Sequence, residues 1–341
     1  MANSTDERAL LLQVSRLYYE QNQTQEQIAD ALKLSRPKIA RLLQRARDLG
    51  IVQITIRDPL ASDHALEHQL VDAFGLQAAV VVPASPTESE RVISRRLGQA
   101  AARYLAQTIK GADIIGIGWG RTLHQVVNSL TPAPLKNPPH VLPLVGGLGQ
   151  VAPSFQVNEL AQQLATAFGG TWDCLYAPAV LESQNTLTAL TAQADVRRVV
   201  EQWKKVTLAL VGVGNLDLHS EVQMLFVDYL QPRDQKRLLD SGAVGDLCMR
   251  FFDRSGHPCP PAVPAILGIE LRQIKAIDRV IAVAGGANKT NALLGALRGG
   301  YIKMLVTDAI AARGIIERAA RNEKRDAKTR TRRQSARGTR R

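Results

Sequence analysis

Residues 24–50 read TQEQIADALKLSRPKIARLLQRARDLG. The stretch predicts two short helices joined by a tight turn. Thr24 suits the N-cap of the first helix, and Gln27 three residues on completes a capping box. Ile28, Ala29 and Leu32 form its apolar stripe at helical spacing. Lys33-Leu34-Ser35 make the turn, and Ser35 is placed to cap the second helix. Pro37 is tolerated in that helix's first turn, where its missing amide has no intrahelical partner. Ile39, Leu42, Leu43 and Ala46 fall on one face, with Pro37, Lys38, Arg41, Gln44 and Arg45 on the other. Gly50 suits the left-handed position that ends a helix.

This is the pattern of a helix-turn-helix with a basic recognition helix. A major groove admits a narrow rod that offers donors to phosphates and base edges. Lys38, Arg41 and Arg45 supply such donors, and Ser35, Arg36 and Gln44 add short-range contacts. The alternative is an ordinary amphipathic hairpin with a solvated basic face. The position near the N-terminus, ahead of a much longer stretch, favours double-stranded DNA.

The 341 residues are 45% hydrophobic, enough for one small and one large domain with separate cores. Aromatics make up only 4%, which argues against base-stacking platforms for single strands. The net charge is +12, and residues 321–341, RNEKRDAKTRTRRQSARGTRR, carry +8 of it. That segment lacks large apolar residues and is expected to be a disordered basic tail, either a solubilising appendage or a non-specific contact to nucleic-acid backbone. Cys174, Cys248 and Cys259 share no metal-type spacing, so neither a metal site nor a disulfide scaffold is expected. The N-terminal MANSTDERALLLQ is acidic where a signal peptide would be basic. No apolar run approaches the roughly 20 residues a membrane span needs. A cytoplasmic protein without membrane association is the expectation.

Before the hairpin, Glu7–Gln21 reads as a bracing helix with Leu10, Leu11, Val14, Leu17 and Tyr18 inward. After it, Ile51–Ile56 alternates like a short strand, one arm of a wing. Asp58-Pro59 marks a boundary. The expected division is therefore 1–58, 59–320 and the tail 321–341. Ser62–Phe74 reads as an amphipathic helix that links domains or helps dimerisation. From Gln77 on, apolar runs typical of buried parallel strands alternate with helices. The strands are Ala78–Val82, Ile114–Ile117, His140–Leu144, Trp172–Tyr176, Thr207–Val213, Arg279–Val283 and Lys303–Val306. Helices fall at Ser89–Ile109, Thr122–Leu130, Val157–Phe168, Ala194–Lys204 and Asn291–Leu297. The fold class is α/β, with a doubly wound, largely parallel sheet behind an N-terminal helix-turn-helix. Ligands of such sheets sit beyond the carboxyl ends of the strands.

Four glycine-rich loops are expected there. The first is Gly118-Trp119-Gly120-Arg121-Thr122, whose amides, Arg121 and Thr122 suit a phosphate. Its glycine spacing is not the dinucleotide fingerprint, and no Walker lysine follows. The second is Val145-Gly146-Gly147-Leu148-Gly149, with Gln156 and Asn158 opening the next helix. The third, Ser241–Leu247, offers Asp246 to sugar hydroxyls. The fourth, Gly285-Gly286-Ala287-Asn288-Lys289-Thr290, places Lys289 as a second cation. Each loop is weak alone; together they suggest an anionic polyol.

The motifs LKLSRPKIARLLQRARDLGIVQI, GIGWGRTL, VGGLG followed by QVNEL, GAVGDL and AGGANKTNALLGALRGGYIKMLVTD resemble those of the SorC/DeoR-type sugar-binding transcriptional regulators. The resemblance spans nearly the whole chain except its first residues and tail. It implies an effector domain similar to the glucosamine-phosphate deaminase and ribose-phosphate isomerase fold, a phosphorylated sugar or polyol ligand, and a homodimer or homotetramer. It makes Gly118, Gly120, Arg121 and Thr122 the phosphate-side loop and Gln156, Asp246 and Lys289 the remaining contacts. Asp308 lies in a family motif as a ligand or structural residue. Some relatives place a basic residue just before the second loop's glycine pair. Val145 stands there, so a covalent imine at that position is ruled out.

The rival function is a sugar-phosphate isomerase or deaminase fused to a DNA-binding domain. It needs a general base over an enolisable carbon. Asp246 and Asp308 are the nominees, but neither has a His or Glu partner in sequence, and the six histidines are scattered. A regulator of carbohydrate metabolism is expected, with repression as its mode, no cofactor and no catalysis.

Overall fold

The computed structural model describes residues 3–52, 63–149, 155–216, 232–261 and 263–321. The predicted wing strand, from residue 53 on, and the tail beyond Arg321 lie outside the described residues. The chain divides into two compact units, Met1–Asp58 and Pro59–Arg341.

The first unit holds α1 (Asn3–Tyr19), α2 (Gln25–Leu32) and α3 (Arg36–Asp48). The capping box forms: the Gln27 amide donates to Thr24 Oγ1 at 3.2 Å, and the Thr24 amide donates to Gln27 Oε1 at 2.9 Å. Lys33 ends α2 in the left-handed region at φ 52°. Ser35 has the extended backbone of an N-cap, but its side chain makes no capping bond, against expectation. Val14, Ile28, Ala29, Ile39 and Leu43 close a small core, so α1 supplies the apolar surface that two short helices lack. Gly50 takes φ +70°, as its place after α3 requires.

The second unit opens with α4 (His64–Phe74) and β1 (Ala78–Val82). There follow α5 (Glu90–Thr108), β2 (Ile114–Ile117), α6 (Arg121–Asn128), β3 (His140–Pro143), α7 (Val157–Ala167), β4 (Thr171–Trp172) and β5 (Val180–Leu181). Next come α8 (Gln184–Thr191), α9 (Ala194–Gln202), β6 (Leu208–Val211), β7 (Gly214–Asn215), α10 (Pro232–Asp240), β8 (Ala243–Leu247) and β9 (Arg250–Asp253). The last are β10 (Ala265–Ile266), α11 (Leu271–Ala276), β11 (Arg279–Val283), α12 (Thr290–Arg298), β12 (Met304–Asp308) and a terminal helix, 309–321.

Seven strands form one sheet in the order β1-β12-β11-β6-β2-β3-β4, and every pair in it is parallel. Alternate residues of the central strands enter different cores. Leu208, Leu210, Ile281 and Val283 face one core with α5, α6 and α7. Ala209, Val211, Val280 and Ala282 face the other with α4, α9, α11 and α12. Both faces are covered, which is why these strands read as continuous apolar runs, and the sheet is doubly wound as expected. No described helix is long and apolar enough to cross a membrane.

Two further expectations change. The strand set at Trp172–Tyr176 shortens to Thr171–Trp172, and Tyr176 is 86% exposed. There Asp173 turns its carboxylate to His140, Arg198 and Gln202, and Asn158 holds both backbone groups of Leu175. The third loop is not a loop: Ala243–Leu247 is the middle strand of an antiparallel β7-β8-β9 sheet. It returns through Cys248-Met249, both at positive φ, 48° and 65°. A two-residue hairpin turn of this hand usually carries Asn-Gly, so the residues gave no turn signal.

Candidate functional site

A cavity of about 580 Å³ opens at the carboxyl ends of β2, β6 and β11, with the start of α5 and the end of β8 completing its wall. The central strands deliver three chain segments to it. From β2 the chain passes Gly118-Trp119-Gly120 into α6, which starts at Arg121. Gly120 sits at φ +134°, a region residues with a Cβ rarely enter. From β6 it passes Gly212-Val213 into β7. From β11 it passes Ala284-Gly285-Gly286 and a 3-10 turn, Ala287–Lys289, into α12.

Asp246, buried, and Lys289, half-buried, are charged groups that line this cavity. Lys289 Nζ donates to the Val213 carbonyl at 2.7 Å. Burial depresses its pKa to about 8; Asp246 and Glu90 oppose that fall, and Arg121 adds to it. Asp246 Oδ2 accepts the Met249 amide at 3.0 Å. Burial pushes its pKa up to about 6, against the Met249 bond and the Lys289 charge. The charges are thus close enough to feel each other inside one poorly solvated pocket.

A polar rim surrounds them. Asn288 Nδ2 donates to Glu90 Oε1 at 3.0 Å, and Asn215 Nδ2 donates to the Asn288 carbonyl at 3.3 Å. His124 meets Phe155 edge-on, centroids 5.1 Å apart, and burial lowers its pKa from the ordinary histidine value. The arrangement can hold an anion near Arg121 and Lys289 while carboxylates and amides meet hydroxyl groups.

Of the effector residues expected from sequence, Gly118, Gly120, Arg121, Thr122, Asp246 and Lys289 line this cavity. Gln156 does not. Its Oε1 accepts the Leu148 amide at 3.2 Å and its Nε2 donates to the Leu148 carbonyl, so it pins the second loop. That loop's glycines serve packing: a Cβ on Gly146 would strike the backbone of 177–179. Val145 is fully buried, its backbone bridged to Gly268, and brings no amine. Asp308 is fully buried outside the lining, where it accepts the Gly286, Ile310 and Ala311 amides. Glu90, His124 and Asn215 join the cavity without having been expected there, and Asn288, within the expected fourth loop, joins Lys289 in it. Gly212-Val213-Gly214-Asn215 is itself a glycine-rich strand end, and that signal marks it as a fifth loop. Glu90 has no local signal, because only the fold brings α5 there.

In the N-terminal unit, Ser35, Arg36, Pro37, Lys38, Arg41, Gln44 and Arg45 are all exposed, with Ile39, Leu43 and Ala46 buried behind them. Gln44 is already engaged: it donates to Asp48 at 2.8 Å and accepts from Arg47 at 2.6 Å. Arg47 also donates to the Tyr19 hydroxyl at 3.0 Å, tying α3 to α1.

Residues 58–317 match the family described as "Putative sugar-binding domain". The chain is 34% identical to the deoxyribonucleoside regulator of Bacillus subtilis, over 91% of this chain and 98% of that protein. It is 31% identical to the sorbitol operon regulator of Klebsiella pneumoniae, over 90% of this chain and 97% of that one. The crystal structure of the full-length Klebsiella sorbitol operon regulator superposes with a TM-score of 0.71 at 30% identity, covering 90% of this chain and 98% of that one.

Proposed function

Because this chain belongs to the SorC/DeoR-type family of sugar-binding transcriptional regulators, we propose that α3 grips operator DNA and that the cavity of the second unit binds the controlling effector. The effector is a phosphorylated sugar or polyol, with its phosphate between Arg121 and Lys289 and its hydroxyls on Asp246 and the Asn215–Asn288–Glu90 rim. The observation that carries this reading is one cavity, at the carboxyl ends of parallel strands, holding two cations beside a buried carboxylate. A symmetric oligomer, dimer or tetramer, presents two copies of α3 to half-sites about 34–36 Å apart or a multiple of that. The effector represses or releases by preferring one arrangement of the DNA-binding units.

Thermal-shift screening of the full chain against phosphorylated and unphosphorylated sugars tests it, since a ligand of the folded state raises the melting temperature. Stabilisation by phosphorylated members alone, lost in Lys289→Ala, is expected. Equal stabilisation by unphosphorylated sugars overturns the anionic effector.

The pairing of Asp246 with Lys289, with pKa values near 6 and 8, favours a second reading, acid–base catalysis on a sugar phosphate. A turnover assay separates the two, and product formation that Asp246→Asn abolishes would establish the enzyme.

A further inference from the structure

Asp308 ends β12 and touches both the effector loop and the start of the terminal helix. Its Oδ2 accepts the amide of Gly286, inside the loop that carries Lys289. A Cβ on Gly285 would collide with that same oxygen, so the loop is moulded onto this carboxylate. Its Oδ1 accepts the amides of Ile310 at 2.9 Å and Ala311 at 3.1 Å, which begin the terminal helix.

On the other side, Asp308 lies in register with Val82 of β1. The preceding residue, Val81, is held by the first turn of α4: its amide donates to Glu67 Oε1 at 2.9 Å, and its carbonyl accepts the Asp63 amide at 2.9 Å. Asp63 is the N-cap of α4, accepting the Leu66 amide at 3.2 Å. Arg313, one turn into the terminal helix, reaches Asp63 Oδ2 at 3.6 Å. Asp63 is also the first described residue after segment 53–62, through which the chain arrives from the N-terminal unit.

We propose that Asp308 is a positioning residue that couples the effector loop 285–290 to the N-cap of α4, and so to the segment leading to the DNA-binding unit. The proposal rests on the effector reading of the cavity. A ligand that draws the Gly285–Lys289 backbone toward itself must break the Gly286–Asp308 bond or carry the Asp308 carboxylate with it. That carboxylate is held by the amides that begin the terminal helix, and the backbone of Asp308 is fixed in the β1–β12 register, so a displacement is passed on toward Val81, Arg313 and Asp63. A ligand shifts an equilibrium only through such differential contacts.

The test is site-resolved hydrogen–deuterium exchange on the full chain, with inorganic phosphate as the probe. Gly285→Ala, without ligand, is expected to speed exchange of the Leu66 and Glu67 amides by about fivefold or more. Deprotection confined to 285–290 and 308–311 overturns the coupling. In the wild type, saturating phosphate is expected to slow exchange at 285–290 and also at 63–67. Protection of 285–290 alone overturns the coupling and leaves the effector reading standing. Protection of neither stretch, with Gly285→Ala still deprotecting 66–67, overturns the effector reading and supports the mechanical link. Asp308→Asn is expected to keep protection at 285–290 and lose it at 63–67, whereas a purely structural role would diminish both alike. If that variant does not fold, Gly285→Ala with and without phosphate supplies the same comparison.

Discussion

The carboxylate of Asp246 occupies the space that a side chain at Gly214 would need, the two residues being register partners across β7 and β8. Position 214 therefore sets where the buried acid points. Gly214→Ala should push the carboxylate off its bond to Met249 and weaken effector binding about tenfold, roughly one lost charge-assisted hydrogen bond. Calorimetric titration with the best stabilising sugar phosphate measures it. Unchanged affinity would separate Asp246 from recognition.

Lys289 supplies a pH dependence. Its folded pKa, about 8, lies below the ordinary 10.5. It is charged below pH 8 and neutral above, so affinity for an anionic effector should be full near pH 7 and fall as the pH rises through 8. Lys289→Ala should bind weakly and without that dependence. A flat profile for the wild type would contradict the role.

Asp246 titrates with the opposite sign. Its folded pKa of about 6 exceeds the ordinary 3.8, so the folded state holds its proton longer than the unfolded chain. The resulting stability is full below about pH 4 and is lost as the pH rises through 6. Asp246→Asn should remove that loss, leaving the variant relatively more stable than the wild type at about pH 7 than at about pH 4. Denaturant titrations at the two values decide it.

The two ends of the chain should respond separately. Arg41→Ala is expected to weaken operator binding and lower its salt slope by about 1, with effector affinity unchanged. Lys289→Ala should leave operator binding intact and abolish the response to effector. Gel-shift assays across salt concentrations, with and without the sugar phosphate, read both effects.

Gln156 separates structure from recognition. Gln156→Ala should cost about 1–2 kcal/mol of unfolding stability, because it strips the partners from the Leu148 backbone. Effector affinity should not move, since Gln156 lies outside the cavity lining. Equilibrium unfolding together with ligand titration checks the pair of outcomes.

Much of this molecule is legible in the linear chain. Thr24 and Gln27 announce the start of α2, and β1, β2 and β11 lie where their apolar runs place them. Caps and buried-strand runs act within a few residues, so they survive in a linear reading. Arg121 and Lys289 are legible for the same reason, each following a glycine-rich exit from a strand.

The order of residues is enough to specify a capped basic hairpin ahead of a parallel α/β sheet, with cations at two strand ends. Which polar groups share a cavity is settled in three dimensions. Asp246 sits on a strand and not in a loop, Glu90 arrives from α5, and Gln156 turns away to Leu148. Asp308 likewise bridges Gly286 and the β1 edge, although it and its β1 partner Val82 are far apart in the chain. The cause is range. Backbone propensity and capping are local energies, whereas membership of a cavity depends on strand order and register, which distant segments settle together by burying both faces of one sheet.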